Sequence, residues 1–191
     1  WSSDVCSSDL YYYFLNYSES NLIHFESLGK MYAAEKNSDS IRLKMTNIRT
    51  QPKKYSITIN KKNYVIHFLD VGSPHAIIFL DKNKELLSKF PVNYIGRKIR
   101  FHKKFSPKGT NVNFVSQLDE STIEMRTYER GVESETLACG TGSVATALVS
   151  AKLLGMESPI QLIPTSKQKL FVHFKEEKKT FSDIWLEGPA D

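Results

Sequence analysis

The sequence has few cysteines and no long uninterrupted apolar segment. Only Cys6 and Cys139 occur among 191 residues, with neither a CxxC pair nor the cysteine–histidine spacing of a metal site. A disulfide-stabilised scaffold is therefore not expected, and a reducing compartment, the cytoplasm, is expected. No apolar run reaches the length that crosses a bilayer, and the first residues lack the basic start and apolar stretch of a signal peptide. We expect no membrane partner.

The charge balance is mildly basic, and the apolar content is sufficient for a core. The chain carries 26 Lys and Arg against 21 Asp and Glu, and 40% of its residues are hydrophobic. One basic cluster, residues 97–104 (RKIRFHKK), has aromatic neighbours, so nucleic-acid binding must be considered. No nucleic-acid fold signature accompanies the cluster, which favours a solvated basic face and no nucleic-acid partner. The positive balance also suits a small anionic substrate.

Residues 142–154 predict a helix that is buried on every side. Apolar residues occupy almost every face of this segment, and Gly155 provides a stop. Cys139 precedes the helix and is followed by Gly140 and Thr141. The first turn of a helix has free N–H groups and a partial positive charge, which stabilise a substrate carboxylate or a thiolate. A buried structural cysteine is the alternative, but the Gly and Thr neighbours of Cys139 favour a functional site.

Most of the remaining chain is predicted to form short strands. These segments show an apolar–polar alternation or a short apolar run between turn residues. They are residues 21–25, 31–34, 40–47, 55–59, 64–69, 76–80, 113–117, 122–128, 160–163, 169–174 and 183–186, with a charged turn at 175–179. Residues 91–99 predict a short helix, and residues 10–16 either a helix end or a strand. Many short strands around one buried helix indicate an α+β fold.

Three segments resemble the diaminopimelate epimerase family. Residues 129–147 (ERGVESETLACGTGSVATA) are similar to its second catalytic motif, and residues 72–77 (GSPHAI) and 109–115 (GTNVNFV) to other parts of the family pattern. The resemblance implies two similar lobes, each a curled, mostly antiparallel sheet around a central helix. It also implies a cofactor-independent epimerase that interconverts LL- and meso-diaminopimelate, for lysine and cell-wall precursors, with two cysteines, one from each lobe.

The residues around Cys139 suit that chemistry. The α-carbon of an amino acid is a very weak acid, so without a pyridoxal or metal electron sink, donors must surround the carboxylate while a base removes the proton. A cysteine thiolate can be that base if its pKa is lowered, and the helix N-terminus makes Cys139 the candidate. The N–H groups of Gly140 and Thr141 would hold the carboxylate. Neither a cofactor nor a metal is expected.

The motif match assigns further residues to the site. Asn111 is expected to hydrogen-bond the substrate, Arg130 to bind a carboxylate and Glu129 to contact an ammonium group and take part in catalysis. His75 lies where the family has a histidine that is important for activity, and Ser73 lies where many relatives carry Asn. Without the resemblance, Asn111 could be a turn residue, the charged pair a surface ion pair and His75 a structural histidine.

The resemblance also predicts how the chain is divided. Residues 48–191 would form the lobe that carries the catalytic cysteine, and residues 11–47 would be the remnant of an N-terminal lobe whose cysteine motif lies upstream. Residues 1–10 (WSSDVCSSDL) fit nothing downstream and are interpreted as a non-native leader. Cys6 lacks the glycine neighbours of the family's first motif, so no catalytic role is assigned to it.

A chain with half of a two-cysteine site is expected to be inactive by itself. The alternatives are therefore a non-catalytic fragment and a related isomerase or racemase of the same fold with another substrate. The expected partner of the whole protein is diaminopimelate, and a homodimer of the full-length protein is compatible with the resemblance.

Overall fold

A computed structural model of the chain describes residues 7–27, 29–80 and 86–189. The helices are α1 (Ser7–Tyr17), α2 (Val92–Arg100) and α3 (Gly140–Leu154). The strands are β1 (Leu22–Ser27), β2 (Lys30–Lys36), β3 (Ser40–Lys44), β4 (Lys53–Ile59), β5 (Lys62–Asp70), β6 (Pro74–Phe79), β7 (Asn111–Gln117), β8 (Thr122–Glu129), β9 (Ser134–Thr136), β10 (Ile160–Ile163), β11 (Leu170–Glu177) and β12 (Thr180–Pro189).

These strands form one mixed sheet that is mostly antiparallel. Its order is β1-β2-β3-β12-β11-β10-β8-β7-β6-β5-β4, with β9 paired to β8. Only β6 with β7 and β8 with β10 run in parallel. Parallel neighbours need a long crossover connection, and here α2 lies in the first crossover and α3 in the second. The prediction of an α+β fold with a mostly antiparallel sheet is confirmed.

Helix α3 is buried from Gly142 to Ala151, as the apolar pattern predicted. Leu153 and Leu154 in its last turn are exposed, so the prediction of burial on every side is wrong there. The α3 side chains share one core cluster with residues from strands on both halves of the sheet, among them Leu69, Val115 and Leu186. The helix begins at Gly140, two residues earlier than expected, because the Gly140–Gly142 turn already has helical geometry. It ends where Gly155 adopts a positive φ of 68° and its N–H bonds to the Ala151 carbonyl.

The central strands are buried on both faces because α2 covers the side of the sheet opposite α3. In β7, Val112 and Phe114 pack in the α2 cluster, whereas Val115 packs in the α3 cluster. Fully covered strands carry continuous apolar runs. On the α2 side Gly96 packs so tightly that a Cβ there would lie 2.5 Å from Tyr128 Cβ.

The structure decides one local alternative and corrects other local predictions. Residues 10–16, predicted as either a helix end or a strand, belong to helix α1, whose Leu10 and Phe14 pack with Ala34, Ile41 and Leu43 of β2 and β3. Strand β11 continues through Glu177, so the charged turn is shorter than predicted. Strand β9 had no sequence prediction, because it has only three residues and no alternation.

The predicted division of the chain remains a prediction. The leader interpretation covers residues 1–10, of which Ser7–Leu10 form the start of α1, while Cys6 lies outside the described residues. The segment that was predicted to belong to another lobe joins the same sheet, because β3 pairs with β12. No helix in the described parts of the chain is long and apolar enough to cross a membrane.

Candidate active site

Three separate sequence segments meet next to the N-terminus of α3, where strands β6 and β7 begin and strand β8 ends. His75 in β6 lies opposite Asn111 in β7, where the two parallel strands begin. Glu129 ends the neighbouring strand β8, and Cys139 is the residue before α3. The family motifs that are distant in sequence therefore converge on one place, the Cys139 site.

His75 is fully buried and is the most connected side chain of the site. Its Nε2 lies 3.0 Å from Ser73 Oγ and 3.0 Å from Thr141 Oγ1, and its Nδ1 lies 3.1 Å from Asn113 Nδ2. Burial, with a contribution from the positive charge of Arg130, lowers the pKa of His75 to about 3. The imidazole is therefore uncharged at neutral pH.

Cys139 is buried at the start of α3, with 5% of its surface exposed. Its Sγ lies 3.7 Å from Thr141 Oγ1. Burial makes the largest contribution to raising the pKa of the Cys139 thiol, and the negative charge of Glu129 raises it further. Hydrogen bonds from the Gly142 N–H and the Thr141 hydroxyl lower it. The prediction of a lowered pKa is therefore wrong for this structure, because desolvation outweighs the donors of the helix N-terminus. The resting group is a thiol.

Gly142 is the glycine that the site cannot replace. A Cβ at this position would lie 2.6 Å from Asn113 Oδ1 and 3.1 Å from Cys139 Sγ. The missing side chain thus lets β7 and the cysteine pack directly against the first turn of α3. Gly140 is buried there as well, and Thr141 is partly exposed.

The other predicted residues surround this centre. Asn111 is buried, and its side chain joins two segments: Oδ1 accepts the Arg130 N–H at 2.8 Å, and Nδ2 donates to the Pro74 carbonyl at 3.3 Å. Glu129 and Arg130 are partly exposed, and neither forms a salt bridge with another described residue. The surface-ion-pair alternative therefore lacks support here. The guanidinium of Arg130 donates to the Lys108 carbonyl at 3.3 Å.

Sequence reasoning missed Asn113 and Thr127. Both are buried, and Thr127 Oγ1 lies 2.9 Å from Asn113 Oδ1. Asn113 follows Asn111 by two residues, so both side chains lie on the face of β7 that meets α3. Two asparagines at that spacing in an otherwise apolar strand were the available signal.

The loop that carries Cys139 is anchored by an ion pair. Arg126 Nε and Nη2 donate to the two carboxylate oxygens of Glu135, at 2.7 and 2.6 Å. Leu137, two residues before the cysteine, accepts the Ser166 N–H at 2.8 Å. Strand β9 is thereby fixed immediately before the site. Among the described residues, no cluster of three or more His, Cys, Asp or Glu side chains could hold a metal ion.

Comparison with known proteins gives the family. A family model described as "Diaminopimelate epimerase" matches residues 67–190, about two thirds of the chain and the whole of the site. The chain belongs to the diaminopimelate epimerase family. A diaminopimelate epimerase of Aquifex aeolicus is 39% identical over 171 residues, which are 88% of this chain and 58% of the relative. The diaminopimelate epimerase of Flavobacterium psychrophilum is 39% identical over 163 residues, 85% of this chain and 59% of the relative.

The chain thus spans about three fifths of the length of these diaminopimelate epimerases. Among solved structures, a hydroxyproline epimerase from Agrobacterium vitis aligns with a TM-score of 0.67 at 13% identity, over 96% of this chain and 61% of the other. A probable proline racemase from Agrobacterium radiobacter aligns with a TM-score of 0.68 at 14% identity, over 96% of this chain and 63% of the other. At such identities the likeness concerns the fold alone.

Proposed function

We propose that this protein is a cofactor-independent diaminopimelate epimerase in which Cys139 exchanges a proton with the α-carbon of the substrate. The observation that carries the proposal is the thiol at the N-terminus of buried helix α3, beside uncharged His75. Diaminopimelate, the substrate in the relatives' names, has carboxylate and ammonium groups at both ends. Arg130 and Glu129, which have no salt-bridge partner in the described structure, suit a carboxylate and an ammonium group, respectively.

Cys139 acts as the acid in one direction and as the base in the other. Because burial keeps its sulfur protonated, its resting role is that of the donor. A base on the opposite face of the substrate removes the α-proton, and the electron pair that remains is delocalised into the carboxylate. The Cys139 S–H bond then breaks, the proton forms the new C–H bond on the other face, and sulfur is left as a thiolate. In the reverse reaction this thiolate removes the proton.

The first turn of α3 stabilises the charge that develops. Backbone N–H groups of Gly140 and Thr141 would hold the substrate carboxylate, and the positive end of the helix would favour an enediolate there. Inversion also requires the base on the opposite face. Cys139 is the only cysteine in the described parts of the chain, so in a two-cysteine mechanism the second thiol comes from residues outside them.

The test is the conversion of LL-diaminopimelate in D2O by the product of the complete gene. Chromatography of the two isomers measures inversion, and mass spectrometry measures deuterium at the α-carbon. The meso isomer should form with one solvent-derived deuterium, and Cys139→Ala should abolish inversion. The base on the opposite face remains in this variant, so exchange of the α-proton without inversion is compatible with the mechanism. Ser56→Ala, which removes a hydroxyl at an exposed position of the β4–β5 hairpin, is the control and should retain activity.

Three results would change the assignment. Inversion by the Cys139→Ala variant would remove this thiol from the mechanism. Equal loss in Cys139→Ala and Ser56→Ala would show that the loss at Cys139 is not specific to its thiol. Turnover of proline or hydroxyproline in place of diaminopimelate would replace the substrate with that of the same-fold racemases.

A further inference from the structure

A chain of hydrogen bonds leads from the interior of the sheet to the sulfur of Cys139. Thr127 Oγ1 lies 2.9 Å from Asn113 Oδ1, and Asn113 Nδ2 lies 3.1 Å from His75 Nδ1. On the other side of the ring, His75 Nε2 lies 3.0 Å from Thr141 Oγ1, which in turn lies 3.7 Å from Cys139 Sγ. The first three members are buried, so water does not compete for their bonds.

The orientation of Asn113 decides which way these groups donate. The oxygen and nitrogen of a carboxamide have similar shapes, so only the neighbouring groups distinguish them. A Cβ on Gly142 would lie 2.6 Å from Asn113 Oδ1, so a Cα–H bond of Gly142 is directed at that atom. An acceptor oxygen tolerates a C–H group, whereas an amino group would place hydrogen against hydrogen. The Thr127 hydroxyl then donates to Oδ1, and Nδ2 donates to His75.

We propose that Asn113, held by Thr127, is a positioning residue that fixes neutral His75 with its proton on Nε2. Because Nδ1 accepts from Asn113, the single proton of the ring must be on the other nitrogen. That N–H is directed at Ser73 Oγ and Thr141 Oγ1, both 3.0 Å away. The geometry alone determines the tautomer, whereas the importance of the tautomer for catalysis rests on the proposed function.

The tautomer of His75 determines whether the Cys139 sulfur receives a hydrogen bond from the Thr141 hydroxyl. When Nε2 carries the proton, the Thr141 oxygen accepts from the ring and its own hydroxyl proton is available to Cys139 Sγ. If Nε2 were unprotonated, it would accept a hydroxyl proton from Thr141 or from Ser73, whose Oγ also lies 3.2 Å from Thr141 Oγ1. The sulfur would lose its donor whenever the Thr141 hydroxyl turned to the ring. Asn113 therefore acts on the cysteine through two intermediates, and its effect depends on the Thr141 hydroxyl.

The direct test is the protonation of the His75 ring nitrogens, measured by long-range ¹H–¹⁵N NMR of the labelled 191-residue chain. His75→Gln assigns the signal among the five histidines. In the parent protein, Nδ1 should resonate as an unprotonated nitrogen and Nε2 as a protonated one, with no change between about pH 5 and 9, since the ring stays neutral. An unprotonated Nε2 would overturn the proposal without any variant being made.

Two variants test whether Asn113 is the cause. Asn113→Asp supplies a carboxylate that only accepts, so the proton should move to Nδ1 or the ring should become doubly protonated. Thr127→Val is milder, because it removes one of the two groups that orient the carboxamide, and it should give a mixture of tautomers. Asn63→Asp adds the same charge at an exposed hairpin position and should change nothing. A parent-like tautomer in both site variants would overturn the proposal.

The link to sulfur is tested by the pH dependence of Cys139 alkylation. Where Asn113→Asp moves the ring proton to Nδ1, the midpoint should rise by about one pH unit, the scale of one lost hydrogen bond to a charged group. A doubly protonated ring keeps the Thr141 donor and should not raise the midpoint in this way. In a Thr141→Val background this rise should be much smaller, because the hydroxyl that transmits it is gone. An equal rise in both backgrounds would mean that the added charge acts alone and would refute the link.

These readouts need no diaminopimelate. A correct tautomer in a protein that never inverts diaminopimelate would refute the proposed function and leave Asn113 as a positioning residue. Inversion by a protein with the opposite tautomer would refute the role of Asn113 alone.

Discussion

Replacement of Arg126 by methionine should weaken the fold at the point where it supports the Cys139 loop. Besides its bidentate bond to Glu135, the guanidinium donates from Nη1 to three backbone carbonyls in the segment before α2. These acceptors are Leu87 at 2.8 Å, Ser88 at 3.2 Å and Phe90 at 3.0 Å. Methionine is apolar and of similar length, so the variant removes the charge and all five donor contacts while filling most of the space.

The magnitude follows from burial. The Arg126 and Glu135 side chains are 22% and 16% exposed. Removing one partner of a buried ion pair costs about 3–5 kcal/mol, because the other charge is left buried without its counter-charge. Glu135 keeps one hydrogen bond to its carboxylate, from Thr165 Oγ1 at 3.1 Å. The residual exposure places Arg126→Met at the lower end, a loss of about 3 kcal/mol in the free energy of unfolding. Lys167→Met is the control. Lys167 pairs with Glu124, which lies on the same strand as Arg126, but the Lys167 side chain is 68% exposed. The loss in this variant should therefore be about 0–1 kcal/mol.

Urea unfolding, followed by circular dichroism and tryptophan fluorescence, measures both losses if the m-value stays constant. Because β9 leads directly into the Cys139 loop, Arg126→Met should also increase the alkylation rate of Cys139 in the folded protein, and Lys167→Met should not. Equal losses for the two variants would refute the reasoning, since the burial difference would then have no energetic consequence. An Arg126→Met loss below about 1 kcal/mol would refute it as well.

Two further predictions concern α2 and the cysteine. Gly96→Ala should lower the melting temperature. Alanine favours a helix by about 1 kcal/mol relative to glycine, but its Cβ would lie 2.5 Å from Tyr128 Cβ, and such overpacking costs about 1–3 kcal/mol or more. A higher melting temperature would show that the contact relaxes freely. Alkylation of Cys139 should stay slow at neutral pH and accelerate only above the range of an exposed thiol, because burial raises its pKa. Glu129→Gln should shift that midpoint to lower pH by removing a negative charge. A parent rate already maximal at pH 7 would contradict the raised pKa, and an unchanged or higher midpoint in Glu129→Gln would contradict the contribution of Glu129.

Part of the site could be predicted because its residues lie in recognisable local patterns. The segments with His75, Asn111 and Cys139 each match a family motif, and the structure brings them together. Asn113 lies in the same motif as Asn111, but the motif match assigned it no role. Its importance comes from contacts with Thr127 and Gly142, which lie 14 and 29 residues further along the chain. A single sequence without those contacts shows only an asparagine in a strand.

The sequence by itself determined that residues 142–154 form a helix, that most of this helix is buried and that most other segments are strands. Those features depend on the apolar pattern within each segment, which the chain carries locally. The tertiary structure alone decided the order of the strands, the pairing of β3 with β12 and the ionisation of Cys139. The helix N-terminus argued for a lowered thiol pKa, but desolvation depends on everything that packs around the sulfur. Those neighbours come from distant parts of the chain, so only the folded molecule could reverse the direction of the shift.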